Sequence, residues 1–150
     1  MIEKRIFGEI DGVEVPLYTL ANEAVEVELF PFGAALRALR VRDREGQFVD
    51  VALGYESLGP YQKKDGCLGG TIGRYANRIG GARFTLNGQE FLLTANEGEN
   101  CLHGGSVGFH KRLFRVAAAT EQFVTFAYVS PDREEGFPGK LSLRNGYLRV

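Results

Sequence analysis

Cysteine is scarce in this chain of 150 residues: only Cys67 and Cys101 occur, and neither sits in a Cys-x-x-Cys pair or beside further ligands. That spacing excludes a disulfide framework and a zinc site, so both are expected as reduced thiols and no metal or cofactor is expected. A basic stripe is missing as well. The formal net charge is −1, with Lys and Arg scattered among Asp and Glu. No row of cations is available to neutralise phosphates, and nucleic acid is not expected as a partner.

Long apolar runs are also absent. Met1-Ile2-Glu3-Lys4-Arg5-Ile6-Phe7-Gly8-Glu9 carries charge where a secretory signal needs an unbroken apolar core. Nothing later reaches the roughly 20 residues needed to span a bilayer. A cytoplasmic protein without membrane contact is the expectation. Gly69-Gly70-Thr71-Ile72-Gly73-Arg74 lacks the Gly-Lys-Ser/Thr ending of a P-loop and the dinucleotide spacing, which argues against phosphate-cradle chemistry. Asp132-Arg133-Glu134-Glu135-Gly136 lacks the alternating oxygen ligands of an EF-hand, so a solvated turn is expected there. With no repeat, low-complexity tract or linker, residues 1–150 are read as one domain, long enough to bury a core without staples.

Glycine, by contrast, is in excess. It supplies 20 of 150 residues, eleven of them within 66–108, against a usual share of about 7%. Glycine clusters where backbone turns sharply or approaches something closely, which directs the search for a site to the middle of the chain.

Around that segment the pattern is of short strands. Val25, Val27 and Leu29 alternate with Glu26 and Glu28, and Val49, Val51, Leu53 and Tyr55 repeat the period until Gly59-Pro60. Residues 34–42 also fit a helical stripe, but the turn formers on both sides favour a strand. Asn87-Gly88 predicts a type I′ hairpin, because both residues tolerate positive φ. Leu86 then faces Gln89 and Phe84 faces Phe91, putting Ala82, Phe84, Leu86, Phe91 and Leu93 on one apolar side against a second sheet, with Leu92 on the other. Residues 114–118 and 123–129 form a further pair, the second apolar on both faces and so interior to a sandwich.

Polar groups concentrate in two glycine-rich segments, Gly73-Arg74-Tyr75-Ala76-Asn77-Arg78-Ile79 and Asn100-Cys101-Leu102-His103-Gly104-Gly105. Sugar hydroxyls both donate and accept, so recognition calls for fixed forks such as Arg and Asn together with a His that plays either role. Asn77, Arg78 and His103 are that set. Arg74 and Arg78 fit a solvated or ion-paired surface equally well, and His103 also fits a role confined to bonding its own loop. His110, beside Lys111 and Arg112, reads as an exposed loop residue.

Those segments, with Ala82-Arg83-Phe84, Leu86-Asn87-Gly88 and residues 96–100 between them, resemble the aldose 1-epimerase (mutarotase) family in order and spacing as well as in residue type. The likeness extends upstream to Gly33-Ala34-Ala35-Leu36 and downstream to Glu135-Gly136-Phe137-Pro138-Gly139. It implies an all-β fold, an antiparallel β-sandwich of the galactose mutarotase type, incomplete at its carboxyl end because family members continue through a long second half. The same resemblance implies a free hexose as ligand, with Asn77, Arg78 and His103 as sugar contacts.

The implied reaction interconverts α and β anomers: a base takes the anomeric proton, an acid protonates the ring oxygen, and the ring opens and recloses. In the family the acid is a His in a later Asn-His-x-Tyr-Phe-Asn-Leu motif and the base a Glu near the carboxyl end. Neither motif occurs in these 150 residues. Glu97, Glu99 and Glu135 remain as candidate bases. The alternative expectation is a non-catalytic carbohydrate-binding module or inactive truncated paralogue. A sugar-phosphate epimerase is disfavoured, because no extra basic cluster accompanies Arg74 and Arg78. An hairpin is expected to turn on Asn145-Gly146, and self-association is expected through an incomplete sheet edge.

Overall fold

The structure is a computed structural model that describes residues 2–63 and 66–148. Five strands form an antiparallel sheet in chain order: β1 (Ile2–Ile10), β2 (Val13–Ala21), β3 (Val25–Phe30), β4 (Ala35–Arg42) and β5 (Phe48–Asp50). Further along the chain come a short helix, α1 (Leu58–Lys63), then β6 (Arg78–Ile79), β7 (Arg83–Leu86), β8 (Gln89–Leu92) and β9 (Cys101–Leu102). A second antiparallel sheet follows, of β10 (Arg115–Ala119), β11 (Phe123–Ser130) and β12 (Leu141–Leu148), with β11 in the middle. Among the described residues, no helix is long and apolar enough to cross a membrane.

Strand alternation decides how these layers pack. Successive side chains of β2 point to opposite faces, and both faces are covered. Val15 and Leu17 pack with Phe7, Phe30 and the α1 residues Leu58 and Tyr61. Tyr18 and Leu20 pack instead with Phe114, Val124 and Phe126, joining the five-stranded sheet face to face with the three-stranded one. Each such fully buried Phe or Leu contributes roughly 1.5–3 kcal/mol relative to exposure. The all-β sandwich expectation is met; β11 is the middle strand of its sheet, but it buries Val124 and Phe126 on one face, while Val129 on the other is exposed.

Three local readings are corrected. The strand expected through residue 55 ends at Asp50, whose carboxylate accepts the backbone N–H groups of Leu39 and Ala52, each at 3.1 Å. Beyond it Val51 and Leu53 are exposed. Gly59-Pro60 lies inside the first turn of α1, where proline is tolerated because its missing N–H has no intrahelical partner to lose. Asn145-Gly146 forms no turn: β12 pairs straight along β11, with Asn145 opposite Phe126 and Gly146 opposite Thr125. Eight consecutive pairs outweigh a dipeptide preference, and Arg149 and Val150, which such a hairpin would place in its return arm, lie outside the described residues.

The hairpin on Asn87-Gly88 has the expected register, Leu86 to Gln89 and Phe84 to Phe91, with φ of 50° and 77° at the turn. Its apolar side meets the two-stranded β6–β9 sheet, through Cys101 and Ile79. Ala82 and Leu93 cluster with Cys101 and Phe137, Phe84 packs at their edge, and Leu86 stays half exposed.

The segment between the two sheets is fastened to the end of the first. Leu36 donates to the Gly69 carbonyl at 3.0 Å, Thr71 to Gly33 at 2.9 Å, and Gly33 to Arg112 at 2.8 Å. These bonds set residues 67–112 as one loop assembly at the end of the sandwich.

Candidate functional site

Asn77, Arg78 and His103 are brought together by the two-stranded ladder of β6 and β9, in which Arg78 pairs with Leu102 and Ile79 with Cys101. Just beyond the ladder, the His103 N–H donates to the Asn77 carbonyl at 3.0 Å, and the Asn77 N–H donates to His103 Nδ1 at 3.1 Å. Both residues sit in the left-handed region, at φ 65° and 52°, which Asn and His enter more readily than most side chains. Gly104 follows at φ 88°, packed so closely that a Cβ there would collide with the Gly73 carbonyl. With Nδ1 accepting, the neutral His103 ring carries its proton on Nε2.

Arg78 is half exposed and held from two sides. Its Nε and one terminal nitrogen donate to the two carboxylate oxygens of Glu97, each at 2.5 Å, and its other terminal nitrogen donates to Asn77 Oδ1 at 3.1 Å. Bonding to Arg78 holds the Glu97 carboxyl below its ordinary value, with the Arg78 charge adding in the same direction. The same pairing raises the Arg78 guanidinium above its already high value.

Glu97 and His103 line a cavity of about 340 Å³ together with Cys67, Asn96, Ser106, His110 and Lys111. That volume lies at the lower end of the range for small-molecule sites, about 300–1,000 Å³. A second cavity, about 500 Å³, is lined by Arg78 together with Arg74, Tyr75, Ile79, Phe84 and Phe137. Of the three expected contacts, His103 thus lines the polar cavity and Arg78 the aromatic one. Among the described residues, no group of three or more His, Cys, Asp or Glu side chains is arranged to hold a metal ion. Burial, and then the nearby Glu135 charge, raises the Cys101 thiol, which keeps it protonated and unreactive.

Several residues have roles that the sequence did not disclose. Arg74 is a structural staple: its guanidinium donates to Ser130 Oγ and to the carbonyls of Ser130, Pro131, Pro138 and Gly139 at 2.7–3.1 Å. The expected solvated turn at 132–136 is corrected too. Asp132 is exposed, but Glu134 is nearly covered, accepting from Tyr128 Oη at 2.6 Å and from Ser130 Oγ, and pairing with Arg112 at 3.0 Å. Glu135 caps the loop after His103, accepting the backbone N–H groups of Ser106 and Val107 at 3.1 and 3.0 Å. His110 is half-buried and lines the polar cavity. The Asn96 side chain bonds Leu102 and Gly105 through three contacts of 2.7–2.9 Å. Its only sequence signal was its place in the turn-rich run Asn96-Glu97-Gly98-Glu99-Asn100.

Comparison with known proteins defines the class. The aldose 1-epimerase family pattern matches residues 16–148, and the chain belongs to that family. It is 40% identical over 144 residues to galactose mutarotase of Mus musculus, covering 95% of this chain and 42% of that one. Over 132 residues it is 40% identical to aldose 1-epimerase of Escherichia coli, covering 87% of this chain and 38% of the other. The chain thus spans about two fifths of the length of these relatives. An aldose epimerase homologue from C. elegans superposes with a TM-score of 0.84 at 29% identity, over 88% of this chain and 41% of that structure.

Proposed function

We propose that this chain carries a hexose-recognition site of the aldose 1-epimerase family, with Asn77, Arg78 and His103 as the contacts to a free glucose or galactose. The observation that carries the reading is the bonding of Asn77 to both Arg78 and His103, which lie 25 positions apart in sequence, with His103 lining a polar cavity of hexose scale. Membership of the family supports the substrate class. In this reading residues 1–150 act as one unit, the neutral His103 ring donates from Nε2, and Arg78 donates to ring hydroxyls.

Anomer interconversion needs an acid and a base acting on opposite ends of the anomeric centre. His103 supplies one titratable group near the cavity. The nearby carboxylate, Glu97, is engaged by Arg78 and held low, which makes it a weak proton acceptor. We therefore propose binding with weak or no catalysis by these 150 residues alone. Polarimetry on freshly dissolved α-galactose, with buffer and the His103→Ala variant as controls, tests this. Rotation decaying at nearly the buffer rate supports the reading, whereas fast mutarotation lost in the variant contradicts its non-catalytic part.

Self-association belongs to the same proposal. Among the described residues the long strand β12 pairs with β11 alone, and its Leu141 and Leu148 lie exposed, the arrangement through which sheets add strands from other chains.

A further inference from the structure

Glu97 is built into the site more firmly than a surface ion pair requires. It sits on a tight turn in which its N–H donates to the Asn100 carbonyl at 3.2 Å and the Asn100 N–H returns to the Glu97 carbonyl at 3.0 Å, with Gly98 at φ 58° between them. The turn is fixed at both ends. The Asn96 side chain ties it to Leu102 and Gly105, and Asn100 Oδ1 accepts the Gly81 N–H at 3.2 Å. A carboxylate on so constrained a backbone is pre-organised, and side chains held in this way are what fix the geometry of neighbouring ligand contacts.

The donor inventory of Arg78 says what that geometry is for. A guanidinium has five N–H bonds. Glu97 takes the one on Nε and one on a terminal nitrogen, and Asn77 takes one on the other terminal nitrogen. Two remain, one on each terminal nitrogen. We infer that Glu97 is a positioning residue: it clamps Arg78 so that these two N–H groups form a fixed fork for adjacent hydroxyl oxygens of a pyranose. The inference rests on the hexose reading above and extends it to a residue outside the Asn77, Arg78 and His103 set. A vicinal diol with two acceptor oxygens suits the fork, and a sugar lacking one of the two hydroxyls leaves a donor without a partner.

The test uses the whole chain labelled with ¹⁵N, as wild type, Glu97→Gln and Arg78→Ala. The side-chain Nε–Hε resonance of Arg78, assigned by its loss in Arg78→Ala, reports the clamp without any sugar. In Glu97→Gln it is expected to shift and to exchange faster with water, while the backbone amides away from residues 77–103 stay in place. Galactose titration, read at the His103 amide, is expected to show affinity about three- to tenfold weaker in Glu97→Gln, the scale of ordering one long side chain. An unchanged Arg78 resonance, or galactose binding that is equal or tighter in Glu97→Gln, overturns the inference. Failure of the wild type to bind galactose overturns the hexose reading instead, and the Arg78 resonance still decides whether Glu97 holds the guanidinium.

Discussion

Asn77 and His103 hold each other in left-handed backbone, each donating its N–H to the other, one to a carbonyl and one to a ring nitrogen. Neither conformation is comfortable alone. Side chains with a β-branch are strained at positive φ, by roughly 1–2 kcal/mol. His103→Asn is therefore expected to keep stability within about 1 kcal/mol of wild type, and His103→Val to lose about 2 kcal/mol or more. Urea denaturation measures both, and equal losses contradict the account of this pair.

Arg74 tests the difference between staple and ligand contact. Its five acceptors lie on the segments at 130–131 and 138–139, and a lysine ammonium cannot reproduce that fork. Arg74→Lys is expected to cost about 2–3 kcal/mol in urea denaturation while any galactose affinity of the folded protein is retained. Unchanged stability with lost sugar binding reverses the assignment.

Much of the architecture was legible because it rests on short-range rules. The Asn87-Gly88 register follows from φ at two residues, and the burial of Val124 and Phe126 on one face of β11 follows from their period-two spacing. Long-range pairing was not legible. Asn145-Gly146 has the chemistry of a turn, but Leu143 and Tyr147 on either side of it pack into the inter-sheet core, and the β11 ladder runs through. At the site, residue type pointed to Asn77, Arg78 and His103, yet it does not distinguish an arginine that faces a cavity from one that ties two loops together. Arg74 and Arg78 differ only in what the fold brings to them. Glu134 and Glu135 were likewise hidden, because their partners Tyr128, Arg112 and the loop at 106–107 are set by tertiary structure.

Alkaline titration reads the Tyr128 environment. Burial, then the hydrogen bond to Glu134, pushes its phenol up to about 12 from an ordinary 10.0. A group whose folded pKa is raised contributes stability that is complete below its unfolded value and disappears as pH climbs through the folded one. Stability from Tyr128 is thus expected in full below pH 10 and to be lost between there and about 12. Tyr18, Tyr61 and Tyr147 are raised in the same direction by burial. Phenolate absorbance should accordingly lag that of the unfolded chain, with a Tyr128→Phe variant losing the latest step.

The free edge of β12 predicts concentration-dependent assembly. Sedimentation equilibrium is expected to give a rising apparent mass with loading concentration, reduced by a Leu148→Lys substitution that places charge on the edge. A constant monomer mass for both proteins contradicts self-association through this strand.

The central claim is that Asn77, Arg78 and His103 form a hexose site, and titration of ¹⁵N-labelled protein with galactose measures it most directly. The account predicts saturable shifts confined to the amides around 77–78, 96–97 and 102–106, abolished in Arg78→Ala and His103→Ala. No saturable shift in folded wild-type protein, or shifts centred on Tyr75, Phe84 and Phe137 at the aromatic cavity and unaffected by either substitution, would contradict it.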